Sequence, residues 1–342
     1  MKNHTFMKQE VLEIPSVINQ IISHSTHDIK YIAQRLNEQN IPYIATIARG
    51  SSDHAASYLK YAIELMAGIP VASIGPSVSS VFNKQLNLAG AACISISQSG
   101  QSPDILSATE MAMANGATSI AITNNQQSPL SKSCDYSIDI CAGVEKSVAA
   151  TKTFVSSIIS GLLLIAYWKN DKPLLEAIHA LPDQASDALE CNWDALVEAV
   201  NGCRSLFTIG RGPAWAISNE AALKFKETCQ IHAESYSSAE VMHGPKTIIG
   251  PQFPIVAFAS RDATEASLIE AVNQLSDQGG QCFVTSDIKC KGTKLPFVSS
   301  GHPLTDPLLL IISFYNFVEK LALAKGLNPD EPPHLKKVTE TV

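Results

Sequence analysis

Residues 47–50 read Ile-Ala-Arg-Gly, and residues 209–212 read Ile-Gly-Arg-Gly, so that Arg49 and Arg211 stand 162 positions apart. The same step carries the apolar run Cys93–Ser97 onto Ile255–Ala259. It also carries Ile122-Thr123-Asn124-Asn125 onto Val284-Thr285-Ser286-Asp287. Three correspondences in one register mark an internal duplication. The copies span 41–170 and 201–325. A leading arm (1–40), a helical connector (171–200) and a tail (326–342) complete the expected organisation.

Within the first copy, Tyr43–Ala48, Ala91–Ser97 and Ser119–Thr123 are short, mainly apolar runs that read as buried strands, each ending in a small or polar turn. Between them lie the helical stretches Ser52–Met66 and Asp104–Asn115. Apolar strands alternating with helices predict parallel sheets covered on both faces, and hence two tandem α/β domains of three-layer α/β/α type. In such sheets ligands bind at the carboxyl ends of the strands. In the arm, Ile14, Val17, Ile18, Ile21 and Ile22 form a helical apolar stripe.

Composition narrows the function. The 342 residues are 45% hydrophobic and 17% charged, with a net charge of −7 and a pI near 5.7. No basic surplus is present to displace counterions from nucleic acid. The apolar stretches Phe154–Trp168 and Leu308–Ala324 read as buried helices, the first because it is short, the second because it carries Asn316, Glu319 and Lys320. The start, with Glu10 and Glu13, has no signal-peptide core. Eight cysteines occur without a CxxC pair or zinc-type spacing, and Cys93, Cys203 and Cys282 sit in strand-like runs as expected buried thiols. A cytoplasmic protein with no membrane, nucleic-acid or metal partner is the expectation.

The chemistry is expected at two places. Ser97-Gln98-Ser99-Gly100-Gln101-Ser102-Pro103-Asp104 runs from a strand through a flexible glycine into a helix that starts with proline. Backbone N–H groups at a helix start, with the hydroxyls of Ser97, Ser99 and Ser102 and the Gln98 amide, suit a phosphate monoester. Without a GK[ST] sequence a nucleotide loop is not expected; an ordinary capped turn is the plain alternative. Gly50-Ser51-Ser52-Asp53 offers a similar turn on the same sheet edge, and Val148-Ala149-Ala150-Thr151-Lys152 another helix start. The second copy has Ala259-Ser260-Arg261-Asp262 in place of the Ser-Gln-Ser-Gly turn, so it is expected to have diverged. There, Glu220, Lys224 and Glu227 share one helix face, either as a solvated salt-bridge ladder or as a site. His243 precedes a Gly-Pro turn.

Taken in order, these segments resemble the sugar isomerase (SIS) family, in the manner of the isomerase half of the glutamine–fructose-6-phosphate aminotransferases. The similarity runs from Met7–Pro15 through Gly-Ser-Ser, Ser-Gln-Ser-Gly, Val-Ala-Ala-Thr-Lys, Ala-Leu-Lys-Phe-Lys-Glu, His-Ala-Glu-Ser-Tyr and His-Gly-Pro to the Lys-Val-Thr tail. The resemblance implies Ser97, Gln98, Ser99, Ser102 and Ser52 as phosphate binders, with Ser51, Val148 and Ala150 near the sugar. It implies Glu227 as the base between C1 and C2 and His243, from the other subunit of a homodimer, as the ring-opening residue. It implies Lys337 at the sugar carbonyl, and Lys224 and Glu220 as its charged surroundings. No metal or organic cofactor is implied. Three departures stand out: Arg49 in place of a cysteine, Ala150 in place of a serine, and Ser102 in place of a threonine. The sequence leaves no room for a glutaminase domain ahead of the arm, so the expected activity is that of an amino-sugar-phosphate deaminase acting on glucosamine-6-phosphate. Aldose–ketose isomerisation, deglycation of a phosphorylated fructosamine, and non-catalytic sugar-phosphate sensing are the alternatives.

Overall fold

The computed structural model describes residues 4–337; the remainder of the expected tail, 338–342, and residues 1–3 of the arm lie outside the described residues. In chain order the arm supplies helices α1 (Phe6–Leu12), α2 (Ile14–Gln20) and α3 (Thr26–Asn37), with a π-helical turn over Ile21–Ser25. Then come β1 (Ile44–Ile47), α4 (Ser51–Ala67), β2 (Val71–Ser73), α5 (Ser77–Ser80), β3 (Ala92–Ile96) and α6 (Pro103–Ala114). The first copy closes with β4 (Thr118–Thr123), α7 (Pro129–Ser133), β5 (Tyr136–Asp139) and α8 (Lys152–Lys169). Helices α9 (Lys172–Leu189) and α10 (Asp194–Val200) follow. The second copy has β6 (Ser205–Gly210), α11 (Pro213–Cys229), β7 (His232–Ser237), β8 (Pro254–Ala257) and α12 (Glu265–Asp277). It ends with β9 (Gln281–Val284), β10 (Thr293–Lys294) and α13 (Asp306–Ala324).

The chain forms two compact units, each with one five-stranded sheet. The first-sheet unit contains Ser16–Glu145, Lys152–His179 and the described tail residues 336–337. The second-sheet unit contains residues 4–15, Lys146–Thr151 and Ala180–Leu335. The strand orders β2-β1-β3-β4-β5 and β10-β9-β8-β6-β7 are the same topology read from opposite edges, and all eight pairings are parallel. The 162-residue step relates four of the five strands: β1 to β6, β2 to β7, β3 to β8 and β4 to β9.

In the first sheet, alternation sorts the side chains into two faces. Ala45, Ile47, Cys93 and Ala121 pack with Ile105, Ala108 and Ala112 of α6. Ile44, Ala92, Ile94 and Ile120 face Leu36 of α3, Leu59 and Ile63 of α4, and Leu164 and Ile165 of α8. Helix α8 is buried along nearly its whole length. It approaches α4 so closely at Gly161 that a Cβ there would lie 2.3 Å from Leu59. In the second unit, Phe207, Ile209, Ile255 and Ala257 pack with Leu268, Val272 and Leu275 of α12. On the other face Phe225 of α11 meets Phe314 of α13 edge-on at 5.2 Å, with buried Trp193 alongside. Apolar α13 is long enough to cross a membrane by composition, but 83% of its apolar window is buried inside this fold. All eight cysteines are free thiols. Burial pushes the Cys93 thiol up to about 12, too high for a reactive thiolate. The expectation for Cys203 needs correction: it lies before β6 and is only half-buried.

The repeated Arg-Gly pair has a backbone cause. Gly50 and Gly212 have φ/ψ of 58/−134° and 58/−137°, a conformation closed to residues with a Cβ. Each turns a strand end directly into a long helix, α4 or α11, and so places the helix N-terminus at the carboxyl edge of its sheet.

Candidate active site

In the first-sheet unit, residues 97–102 join the end of β3 to α6, which starts with Pro103 at its first position. The turn is fixed from within. Gly100 N–H donates to Ser97 Oγ at 3.2 Å, and Gln101 N–H donates to Ser99 Oγ at 3.3 Å. Asn124 N–H and Thr123 Oγ1 both donate to the Gln98 carbonyl, at 3.2 and 3.3 Å. Gly100 is required here: its φ is +61°, and a Cβ would sit 2.2 Å from Ser128 Oγ, which caps α7 through Ser131 N–H. The backbone N–H groups of Gln98, Ser99 and Ser102 have no acceptor among the described residues. The hydroxyls of Ser52 and Ser102 are likewise unpaired among the described residues, while Ser51 and Ser52 open α4 as its first two residues. Unused N–H groups, hydroxyls and a helix N-terminus are the donors that an anion cradle requires.

The equivalent turn of the second unit is filled by its own carboxylates. Asp262 accepts from Thr264 N–H at 2.7 Å and Thr264 Oγ1 at 2.6 Å, Glu265 accepts from Ser286 Oγ at 2.7 Å, and Asp306 accepts from Arg261 N–H at 3.1 Å. Arg261, in the position of Ser99, lies against Asp306 and over the ring of Phe297. The divergence expected from the sequence therefore replaces an anion cradle by internal charge.

The second unit's polar cluster is on α11. Glu220 and Lys224 are completely buried, and Glu227 keeps 20% of its side chain exposed. Lys224 Nζ lies 3.3 Å from Glu220 Oε1 and donates to Glu227 Oε2. Tyr315 Oη of α13 donates to Glu220 at 3.2 Å. A solvated ladder is thereby ruled out. Burial acts against the Lys224 charge, but the two carboxylates outweigh it and hold its pKa above the usual lysine range. The result is a fixed ammonium beneath a carboxylate with one open side. His243 ends a 3-10 turn (Glu240–His243) and is exposed, and its side chain makes no hydrogen bond or ion pair among the described residues. The structure does not join it to Glu227.

Residues 146–151 belong to this second unit, anchored by a group the sequence did not flag. The 4%-exposed Glu10 of α1 accepts from the N–H groups of Lys146 and Ser147 and from Ser147 Oγ. Val148 N–H donates to the Asp330 carbonyl at 3.0 Å, and Ala150 is half-buried. In the first-sheet unit Lys337 Nζ lies 2.6 Å from Glu145 Oε2, a fully buried carboxylate that also accepts from Thr153 N–H (3.2 Å) and Oγ1 (2.7 Å). Glu10 and Glu145 carry no local signal, because a carboxylate's burial depends on distant chain. No group of three or more His, Cys, Asp or Glu among the described residues is arranged to hold a metal.

A protein of Silicibacter pomeroyi DSS-3, provisionally named a phosphosugar isomerase, has a structure that superposes with a TM-score of 0.92 at 48% identity, covering 96% of this chain and all of that one. The C-terminal domain of the glucosamine-fructose-6-phosphate aminotransferase of Francisella tularensis superposes at 0.86 with 26% identity, over 97% and 99% of the two chains. The isomerizing glutamine–fructose-6-phosphate aminotransferase of Wigglesworthia glossinidia brevipalpis is 30% identical over 359 residues, covering 97% of this chain; this chain spans 58% of that protein's length. The SIS domain model matches residues 37–167 and 200–287, so that the first sheet and four of the five strands of the second fall within it, and the chain belongs to the SIS domain family.

Proposed function

We propose that the protein converts glucosamine-6-phosphate and water to fructose-6-phosphate and ammonia, working as a homodimer. The observation that carries this reading is the coexistence in one chain of a β3–α6 turn with unused N–H donors and a half-open carboxylate beside a buried ammonium. A sensor needs the first and not the second.

In the proposed reaction the ester is held by Ser97, Gln98, Ser99, Ser102 and Ser52, with Ser51, Val148 and Ala150 beside the sugar. His243 of the partner subunit opens the pyranose. The C1 aldehyde then acidifies the C2 hydrogen, and Glu227 removes it as a proton, leaving a C1–C2 enolamine. Returning the proton to C1 converts the C2 amine to an imine, and water adds there and expels ammonia. Lys224 and Glu220 keep Glu227 in place, and Lys337 serves the carbonyl end. The release of ammonia follows from the substrate itself, because a C2 imine in contact with water hydrolyses. One positioned base contributes on the order of 10²–10⁴-fold, so anchoring through the phosphate supplies much of the remainder.

The test is an assay of the pure chain with glucosamine-6-phosphate, following ammonia and fructose-6-phosphate together, with Glu227→Gln as control. Equimolar release that falls by orders of magnitude in the control is expected. Turnover of glucose-6-phosphate to its ketose without ammonia from the amino sugar would establish the plain isomerase. Binding of the amino sugar phosphate without turnover would establish a sensor.

A further inference from the structure

Resting on the phosphate-cradle reading, we infer that Arg49 is a positioning residue for the ester: it cancels a carboxylate built into the helix that receives the phosphate. Asp104 is the second residue of α6 and is completely buried. Its carboxylate stands two residues after Ser102, in the first turn of α6. An acidic residue in a first turn normally favours its helix, but here it opposes a second anion docking on the same N-terminus. Arg49, the last residue before Gly50, donates through Nε to Asp104 Oδ2 and keeps 47% of its side chain exposed. One ion pair thus ties the turn leading into α4, which carries Ser51 and Ser52, to the turn leading into α6, which carries Ser99 and Ser102. It fixes their spacing and removes the net negative charge.

The second copy supplies an internal control. At the 162-residue step Arg49 becomes Arg211, but Asp104 becomes Ala266. Arg211 reaches Ser267 Oγ at 3.5 Å, and the neighbouring turn is filled by Asp262 and Glu265. The arginine before the repeated glycine meets a carboxylate in the copy whose turn is open, whereas the second copy's filled turn pairs its own Arg261 with Asp306.

The experiment uses inorganic phosphate as a probe, read as the upshift in melting midpoint and as competitive inhibition of turnover, on wild type, Ser99→Ala, Arg49→Ala, Asp104→Asn and the Arg49→Ala/Asp104→Asn double variant. Arg49→Ala is expected to weaken phosphate and raise KM by about tenfold, the scale of one charge–charge interaction at a partly exposed site, with kcat moving much less. Removing the offending carboxylate in the double variant is expected to restore phosphate affinity to within about threefold, a rescue that lost packing would not give. Asp104→Asn alone is expected to bind phosphate at least as well as wild type. Phosphate binding that depends on Ser99 but is indifferent to Arg49, or an unrescued double variant, would overturn this inference alone. Phosphate binding that is absent or insensitive to Ser99→Ala would overturn the cradle with it. Should Arg49→Ala not fold, weaker binding by Asp104→Asn would count against the inference in its place.

Discussion

Replacing Lys224 by methionine is the sharpest perturbation of the cluster on α11. The substitution keeps an unbranched side chain of similar reach and removes the ammonium that lies 3.3 Å from Glu220 Oε1 and donates to Glu227. Two unit charges at 3.3 Å attract by about 5 kcal/mol at an effective dielectric constant of 20, before the desolvation of each is subtracted. What remains after the change is a Glu220 carboxylate with none of its side chain exposed, and an uncompensated buried charge of this kind costs about 3–5 kcal/mol. At about 2 °C per kcal/mol for a chain this long, the melting midpoint falls by about 6–10 °C. The pH dependence has a definite sign. In wild type the Lys224 pKa is raised, so its contribution is fully present below about 10.5 and is lost only as pH rises through the higher folded value. In the variant, burial without a counter-charge raises the Glu220 pKa above about 4.3, so stability is retained below that value and lost as pH rises through the folded one. Scanning calorimetry of Lys224→Met and of Glu220→Gln/Lys224→Met at pH 5 and pH 8 should therefore show a gap that widens at pH 8. A Lys224→Met midpoint within about 2 °C of wild type at pH 8 would refute the argument.

Two further outcomes follow from the geometry. Gly100→Ala forces a Cβ to 2.2 Å from Ser128 Oγ at a φ of +61°, so the KM for phosphorylated substrate should rise at least about tenfold; steady-state kinetics with an unchanged KM would separate the turn's conformation from phosphate binding. If His243 acts in the partner's site, inactive Glu227→Gln and His243→Ala homodimers should regain activity on mixing, since one hybrid site then holds both wild-type groups. No recovery after subunit exchange verified by mass would assign both residues to one subunit's chemistry.

The sequence by itself determined the duplication, the parallel sheets and the strand–turn–helix connection at residues 97–103. These rest on local rules: short, mainly apolar runs form buried strands, an Arg-Gly turn recurs because only glycine accepts the φ/ψ at Gly50 and Gly212, and Pro103 starts a helix. The edge strands escaped this reading, because β10 is two exposed residues long and gives no alternation to detect. The spacing of Glu220, Lys224 and Glu227 was equally visible, but spacing is identical on a solvated and on a buried helix face. Only the packing of α13 against α11, with Tyr315 reaching Glu220, turned that ladder into a desolvated cluster. The same holds for Glu10 on the 146–151 loop, Glu145 on Lys337, and Arg49 on Asp104, pairs separated by 136 or more residues in the first, 192 in the second and 55 in the last. A charged residue's environment is set by chain that is remote in sequence, and so these partnerships were decided by tertiary structure alone.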